Sequence, residues 1–93
     1  MTIEIVDLGS WANATLVSEY DPEGDAIRVN ARAVARVRRA LGDAAGESFV
    51  ALAIAHERFH REHPQASERD AAAHAERATG VDARRFEIAL ARS

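Results

Sequence analysis

Apolar and polar positions alternate with a period of two near the start of the chain and change to a helical period from about residue 31 onward. Residues 2 to 8 read as a strand, with Ile3 and Ile5 on one side and Glu4 on the other, and Gly9-Ser10 breaks it. Ala14 to Tyr20 reads as a second strand. Asp21-Pro22-Glu23-Gly24-Asp25 is a strong turn signal. Ala26 to Asn30 follows as a third strand, with Ile27 and Val29 inward and Arg28 outward. The second and third strands are expected to form an antiparallel hairpin. Trp11 is read as a packing residue near the first turn.

Asn30 then caps a helix over Ala31 to Leu41, closed by Gly42, whose inner stripe is Val34, Val37 and Leu41. Asp43 to Glu47 leads into a long helical pattern, Glu47 to His63, that Pro64 stops. Ser67 caps a further helix running to Thr79 before Gly80, and Asp82 caps a last one to about Ala91. The fold class is α+β: a small, mainly antiparallel three-stranded sheet covered by about four helices, in one domain spanning residues 1–93.

Composition narrows the function. A chain of 93 residues has a small core, so a bound metal would add usefully to its stability. There is no cysteine, hence no disulfide framework and no thiolate metal cluster, which suits the cytoplasm. The first residues lack the basic start and apolar stretch of a signal peptide, and no apolar run reaches a membrane span. Arginine supplies all the positive charge, and the net charge of −3 gives no general attraction to nucleic acid. Arg32, Arg36 and Arg39, joined by Arg38, make one basic stripe, read here as a solvated helix face. Nothing in the pattern sets an oligomeric state.

The chemistry gathers at His56-Glu57-Arg58-Phe59-His60, an H-E-x-x-H motif within the long helix. Residues four apart stand one turn above each other, so His56 and His60 can offer two imidazoles to one metal ion. Glu57 lies about 100° further round, beside the metal, where it could take a proton from a bound water. The helix is apolar upstream through Phe49, Val50, Leu52, Ala53, Ile54 and Ala55, and both histidines continue its Phe49–Leu52–Ala53 stripe. The plainer alternative is a pair of core histidines bonded to carbonyls or carboxylates.

A third ligand is expected on the following helix, where Glu68, Asp70 and His74 compete. Glu68 shares a face with Ala71, Ala72, Ala75 and Ala78, the small apolar side that must pack inward, whereas Asp70 and Arg77 point away. Simple hairpin geometry instead sets His60 opposite about position 70 and His56 opposite about 74, which favours Asp70 or His74. Crossing angles vary by tens of degrees while the inward face is fixed, so Glu68 is preferred. His63 lies roughly 10 Å along the axis from His56, at about 1.5 Å per residue, too far to share one metal with both motif histidines.

H-E-R-F-H followed by E-R-D-A-A-A-H-A resembles the H-E-x-x-H…E-x-x-A pattern of gluzincin metallopeptidases, with the ImmA/IrrE-like proteins and minigluzincins as the nearest comparisons. The resemblance covers about residues 27 to 79. It implies that Glu68 is the third zinc ligand, with Ala71 and Ala75 at matching small positions. It also implies a substrate lying extended along an edge strand above the metal. Ala72 stands where that pattern usually has an Asp or Asn that orients a ligand histidine, and the gap from His60 to Glu68 is short.

The resulting expectation is a zinc-dependent peptidase acting on a peptide or protein substrate. His56, His60 and Glu68 hold Zn2+, and Glu57 is the general base. Tyr20, His63 and His74 are candidates to steady the substrate carbonyl. The alternative is a catalytically silent module that holds a metal for regulation or protein interaction; Glu57 separates the two, since structure alone has no need of a carboxylate there.

Overall fold

In a computed structural model that describes residues 1–9 and 17–91, the chain runs β1 (Thr2–Val6), β2 (Ser18–Asp21), β3 (Ala26–Asn30), α1 (Ala31–Leu41), α2 (Asp43–Glu62), α3 (Glu68–Thr79) and α4 (Arg84–Ala91). This is the small α+β arrangement that the patterning indicates. Trp11 and the start of the expected second strand, Ala14 to Leu16, lie outside the described residues.

The sheet has the order β1-β3-β2. β2 and β3 form the antiparallel hairpin, with Ser18 opposite Val29 and Tyr20 opposite Ile27, while β1 runs parallel to β3 in the register Ile3–Ile27 and Ile5–Val29. Ile27 and Val29 are fully buried against the helices. Ile3 and Ile5 share their face but lie at the sheet edge beyond that cover, and both are exposed. Arg28 faces outward and meets Glu4 of β1 and Glu19 and Asp21 of β2, the two strands that flank its own.

Asn30, also fully buried, joins the sheet to the helices. Its Oδ1 accepts from the backbone N–H of Leu8 and of Arg32, and its Nδ2 donates to the Gly9 carbonyl. One side chain therefore caps α1 and fixes the exit from β1, which satisfies buried polar groups that would otherwise cost free energy. Gly42 ends α1 by donating to the Arg38 carbonyl and, at φ 97°, turns the chain straight into α2. Two expectations fail at this junction. α2 begins at Asp43, not Glu47, and Leu41 is exposed because the chain leaves the stripe at the turn. Gly46 lies in the first turns of α2 because the Arg38 stem crosses it; a Cβ there would come within 2.5 Å of Arg38 Cγ.

The main core joins Val29, Ala33, Val34, Val37, Ala45, Phe49, Ala53 and Phe86. Phe49 of α2 meets Phe86 of α4 edge to face, with centroids 5.3 Å apart. α3 packs along α2 through Ala71 and Ala75, whose small side chains let the two backbones approach; Ala78, expected on that face, is exposed. Ser67 caps α3 by accepting from the Asp70 N–H, Gly80 ends it in the left-handed region, and Asp82 accepts from the Arg84 N–H at the start of α4.

Candidate metal centre

α2 carries the H-E-x-x-H residues on its last two turns, and five residues separate its end from the start of α3. His56 and His60 have side chains about one-fifth exposed, with ring centroids 5.0 Å apart. Glu68, the first residue of α3, reaches back across the gap with both oxygens: Oε2 lies 3.0 Å from His56 Nε2 and Oε1 lies 2.7 Å from His60 Nε2. Among the described residues, these three form the group whose donor atoms all fall within 4.8 Å of one another.

The donor set could hold a metal, although His56 Nε2 and Glu68 Oε2 also meet as a hydrogen-bonded pair without one. His60 Nε2 is buried and, despite its 2.7 Å approach to Glu68, has no partner in hydrogen-bonding geometry. A buried nitrogen without a hydrogen-bond partner is costly. A cation shared by the three residues would give that nitrogen a partner. Two imidazole nitrogens and a carboxylate also form the donor set of open zinc sites, where ligand atoms about 2.0–2.2 Å from the metal lie about 3.3 Å from one another. The Glu68 side chain is 82% exposed. A free surface glutamate would sample many rotamers, so its engagement with both histidines also suits a cation between them.

The other candidates for third ligand are placed elsewhere. Asp70 is exposed on the first turn of α3. His74 stacks on Phe59 at 4.6 Å, and His63, an exposed residue, packs on the same ring at 4.5 Å. Glu68 meets both histidines despite the simple hairpin register because its long side chain, at the very start of α3, reaches back toward the last turns of α2.

Glu57 is only 6% exposed and stands outside the three-donor group. Its Oε2 accepts a 2.6 Å hydrogen bond from Ser18 Oγ of β2. Sequence reasoning missed Ser18, yet a signal was present. Once the 21–25 turn fixes the hairpin, Ser18 falls opposite buried Val29, and a hydroxyl in an inward slot needs a polar partner. Tyr20, next on that face, donates to Asp25 Oδ1 at 2.8 Å, and its hydroxyl is pushed above the ordinary phenol value by that carboxylate. Asp25, at φ 47°, also receives Arg61 Nε at 2.7 Å and Nη2 at 3.3 Å. The Arg61 guanidinium, then the Tyr20 hydroxyl, hold its carboxyl well below the usual range. The hairpin turn is thereby fastened to the last turn of α2.

Two cavities flank the centre. One, of about 340 Å³, is largely apolar and reaches from Ser18, His56 and Glu57 down to Phe49, Phe86 and Leu90. The other, of about 460 Å³, is bounded by Tyr20, Pro22, Glu57, His60, Arg61 and Glu68. Glu57 and Glu68 border both, and β2, an edge strand of the sheet, runs past the two. No protein-family model matches the chain, and no curated protein or solved structure matches it either. Among the described residues, no helix is long and apolar enough to cross a membrane.

Proposed function

We propose that this chain is a zinc-dependent metallopeptidase that works in the cytoplasm on a peptide or protein substrate. The observation that carries the reading is the convergence of His56, His60 and Glu68 around an otherwise partnerless buried nitrogen, with Glu57 lining both cavities that flank them. His56 Nε2, His60 Nε2 and the Glu68 carboxylate would hold the metal. When bound, zinc acidifies water and polarises a peptide carbonyl.

The remaining roles belong to the chain's own groups. Ser18 holds Glu57 Oε2 and so orients the carboxylate, which leaves Oε1 to take a proton from the attacking water and pass it to the departing amine. The substrate backbone would pair with the outer edge of β2, the strand that borders both cavities. An apolar substrate side chain would fill the cavity floored by Phe49 and Phe86; Ala72, small where an Asp or Asn would intrude, helps keep it open. Tyr20 borders the other cavity, but its hydroxyl is committed to Asp25, so it is not assigned to the substrate carbonyl.

Glu57→Gln tests the assignment, because the amide keeps the size of the carboxylate and cannot accept the proton. Cleavage of a diverse peptide mixture should fall by about 10²–10⁴-fold with zinc content and circular dichroism unchanged. Wild-type protein that binds zinc but cleaves nothing in the mixture would support the silent metal-holding module instead. A Glu57→Gln variant as active as wild type would refute Glu57 as the base.

A further inference from the structure

The β2–β3 hairpin meets α2 through polar side chains at two levels. At the first, Ser18 Oγ donates to Glu57 Oε2 at 2.6 Å. At the second, the Tyr20 hydroxyl and Arg61 Nε both donate to Asp25 Oδ1, at 2.8 Å and 2.7 Å, and Arg61 Nη2 donates to Asp25 Oδ2 at 3.3 Å. The spacing of the two levels follows from the two backbones. Glu57 and Arg61 stand one turn apart on α2, about 6 Å along its axis at about 1.5 Å per residue. Ser18 and Tyr20 stand two residues apart on one face of β2, about 6.6 Å at about 3.3 Å per residue. Strand and helix thus advance in matched steps, with a polar rung at each.

The rungs differ in strength. The first is one hydrogen bond to a buried carboxylate, which fixes a distance and leaves the strand free to pivot. The second is charge-assisted and grips the guanidinium at two points. Arg61 and then Tyr20 keep the Asp25 carboxyl ionised, and the same carboxylate keeps on Tyr20 the proton that it donates. Asp25 takes a φ of 47°, in the left-handed region that Asp and Asn enter more readily than other side chains. A second fixed point one step from the first sets orientation as well as distance.

We propose that Asp25 is a positioning residue for Glu57: by locking the hairpin onto the last turn of α2, it holds Ser18 where it orients the Glu57 carboxylate. The consequence for catalysis rests on the peptidase reading. The positioning itself does not, because neither rung includes His56, His60 or Glu68.

Asp25→Asn suits the test, since Asn accepts the same backbone conformation and cannot offer Arg61 two acceptor oxygens. In metal-free protein the readout is the 13C signal of the Glu57 carboxyl carbon. Ser18→Ala should move that signal in the wild-type background and move it less than about half as far in the Asp25→Asn background, because groups that act through one another are not additive. Arg61→Gln removes the same rung from the helix side and should give the same coupling, which keeps the test open if Asp25→Asn loses its fold. In zinc-loaded protein, Asp25→Asn should lower kcat about tenfold and leave zinc affinity unchanged, since the three ligands stand on α2 and α3. A merely structural role would instead lower zinc affinity and melting temperature together. Equal movement of the Glu57 signal in all backgrounds would overturn the proposal, as would an Asp25→Asn kcat equal to that of an active wild type. Coupled signals in a protein that cleaves nothing would uphold the positioning of Glu57 and count against the peptidase reading alone.

Discussion

The two ends of α2 are built on opposite terms. Its first half, Asp43 to Ala53, buries Ala45, Gly46, Phe49 and Ala53 against α1, β3 and α4, and its partners there are already complete. Its second half carries His56, Glu57 and His60 to a polar seam, where one nitrogen lacks a partner and an exposed carboxylate is drawn in from α3. The first half explains why the chain folds. The second gathers a polar cluster on that well-packed support, and this is the half to which the proposed metal site belongs.

The strongest test of that contrast removes a ring from the packed half. Phe86→Ala should cost about 3–5 kcal/mol, because the ring is buried on Phe49 and leaves a cavity that α4 can only partly close. In a small domain that is enough to show as a collapse of the urea midpoint. If the contrast holds, Glu68→Ala should barely move the midpoint of metal-free protein while it removes metal binding. A comparable loss of stability in both would erase the distinction between the halves.

Next in size is the choice of third ligand. Glu68→Ala should weaken zinc binding by more than the roughly 10–100-fold typical of residues that only orient a ligand. Asp70→Ala and His74→Ala should leave it nearly unchanged, since Asp70 faces solvent and His74 is stacked on Phe59. Isothermal titration with zinc compares the three. Release of the metal by His74→Ala alone would restore the hairpin-register reading.

How much of this was legible before the fold was known varies with the kind of signal. The helix caps at Asn30, Ser67, Asp82, Gly42 and Gly80 were readable because capping is chemistry within a few residues. So was the pairing of His56 with His60, which needs only helical spacing. Glu68 was reached through the inward alanine face, although the carboxylate itself is exposed and is held by the histidines instead of by burial. The start of α2 was hidden because Asp43-Ala-Ala-Gly46 looks like a loop; the glycine answers to Arg38 on another helix, which no local pattern reveals. The parallel placement of β1 was likewise not readable, since alternation is the same for either direction. The α1 stripe pointed Leu41 inward, but periodicity does not know where the helix turns.

The smallest expected effect lies at the far end of the second half, where Asp25 fastens the hairpin turn to Arg61. Because its folded carboxyl is depressed below the ordinary value of 3.8, the stability it contributes is complete well above that pH and is lost as pH falls through and below it. Between pH 6 and pH 3, wild type should therefore lose slightly more stability than Asp25→Asn. Parallel pH profiles of the two proteins check the sign; a larger acid loss in the variant would contradict it.

The central claim, that the second half of α2 and the head of α3 form a metal centre, is tested most directly by elemental analysis of protein equilibrated with zinc and then dialysed. The account predicts about one zinc per wild-type chain and none in the His56→Ala, His60→Ala double variant. It also predicts a melting temperature that a chelator lowers in wild type only. Full zinc content in the double variant, or a wild-type chain that retains no zinc and melts identically with and without it, would contradict it.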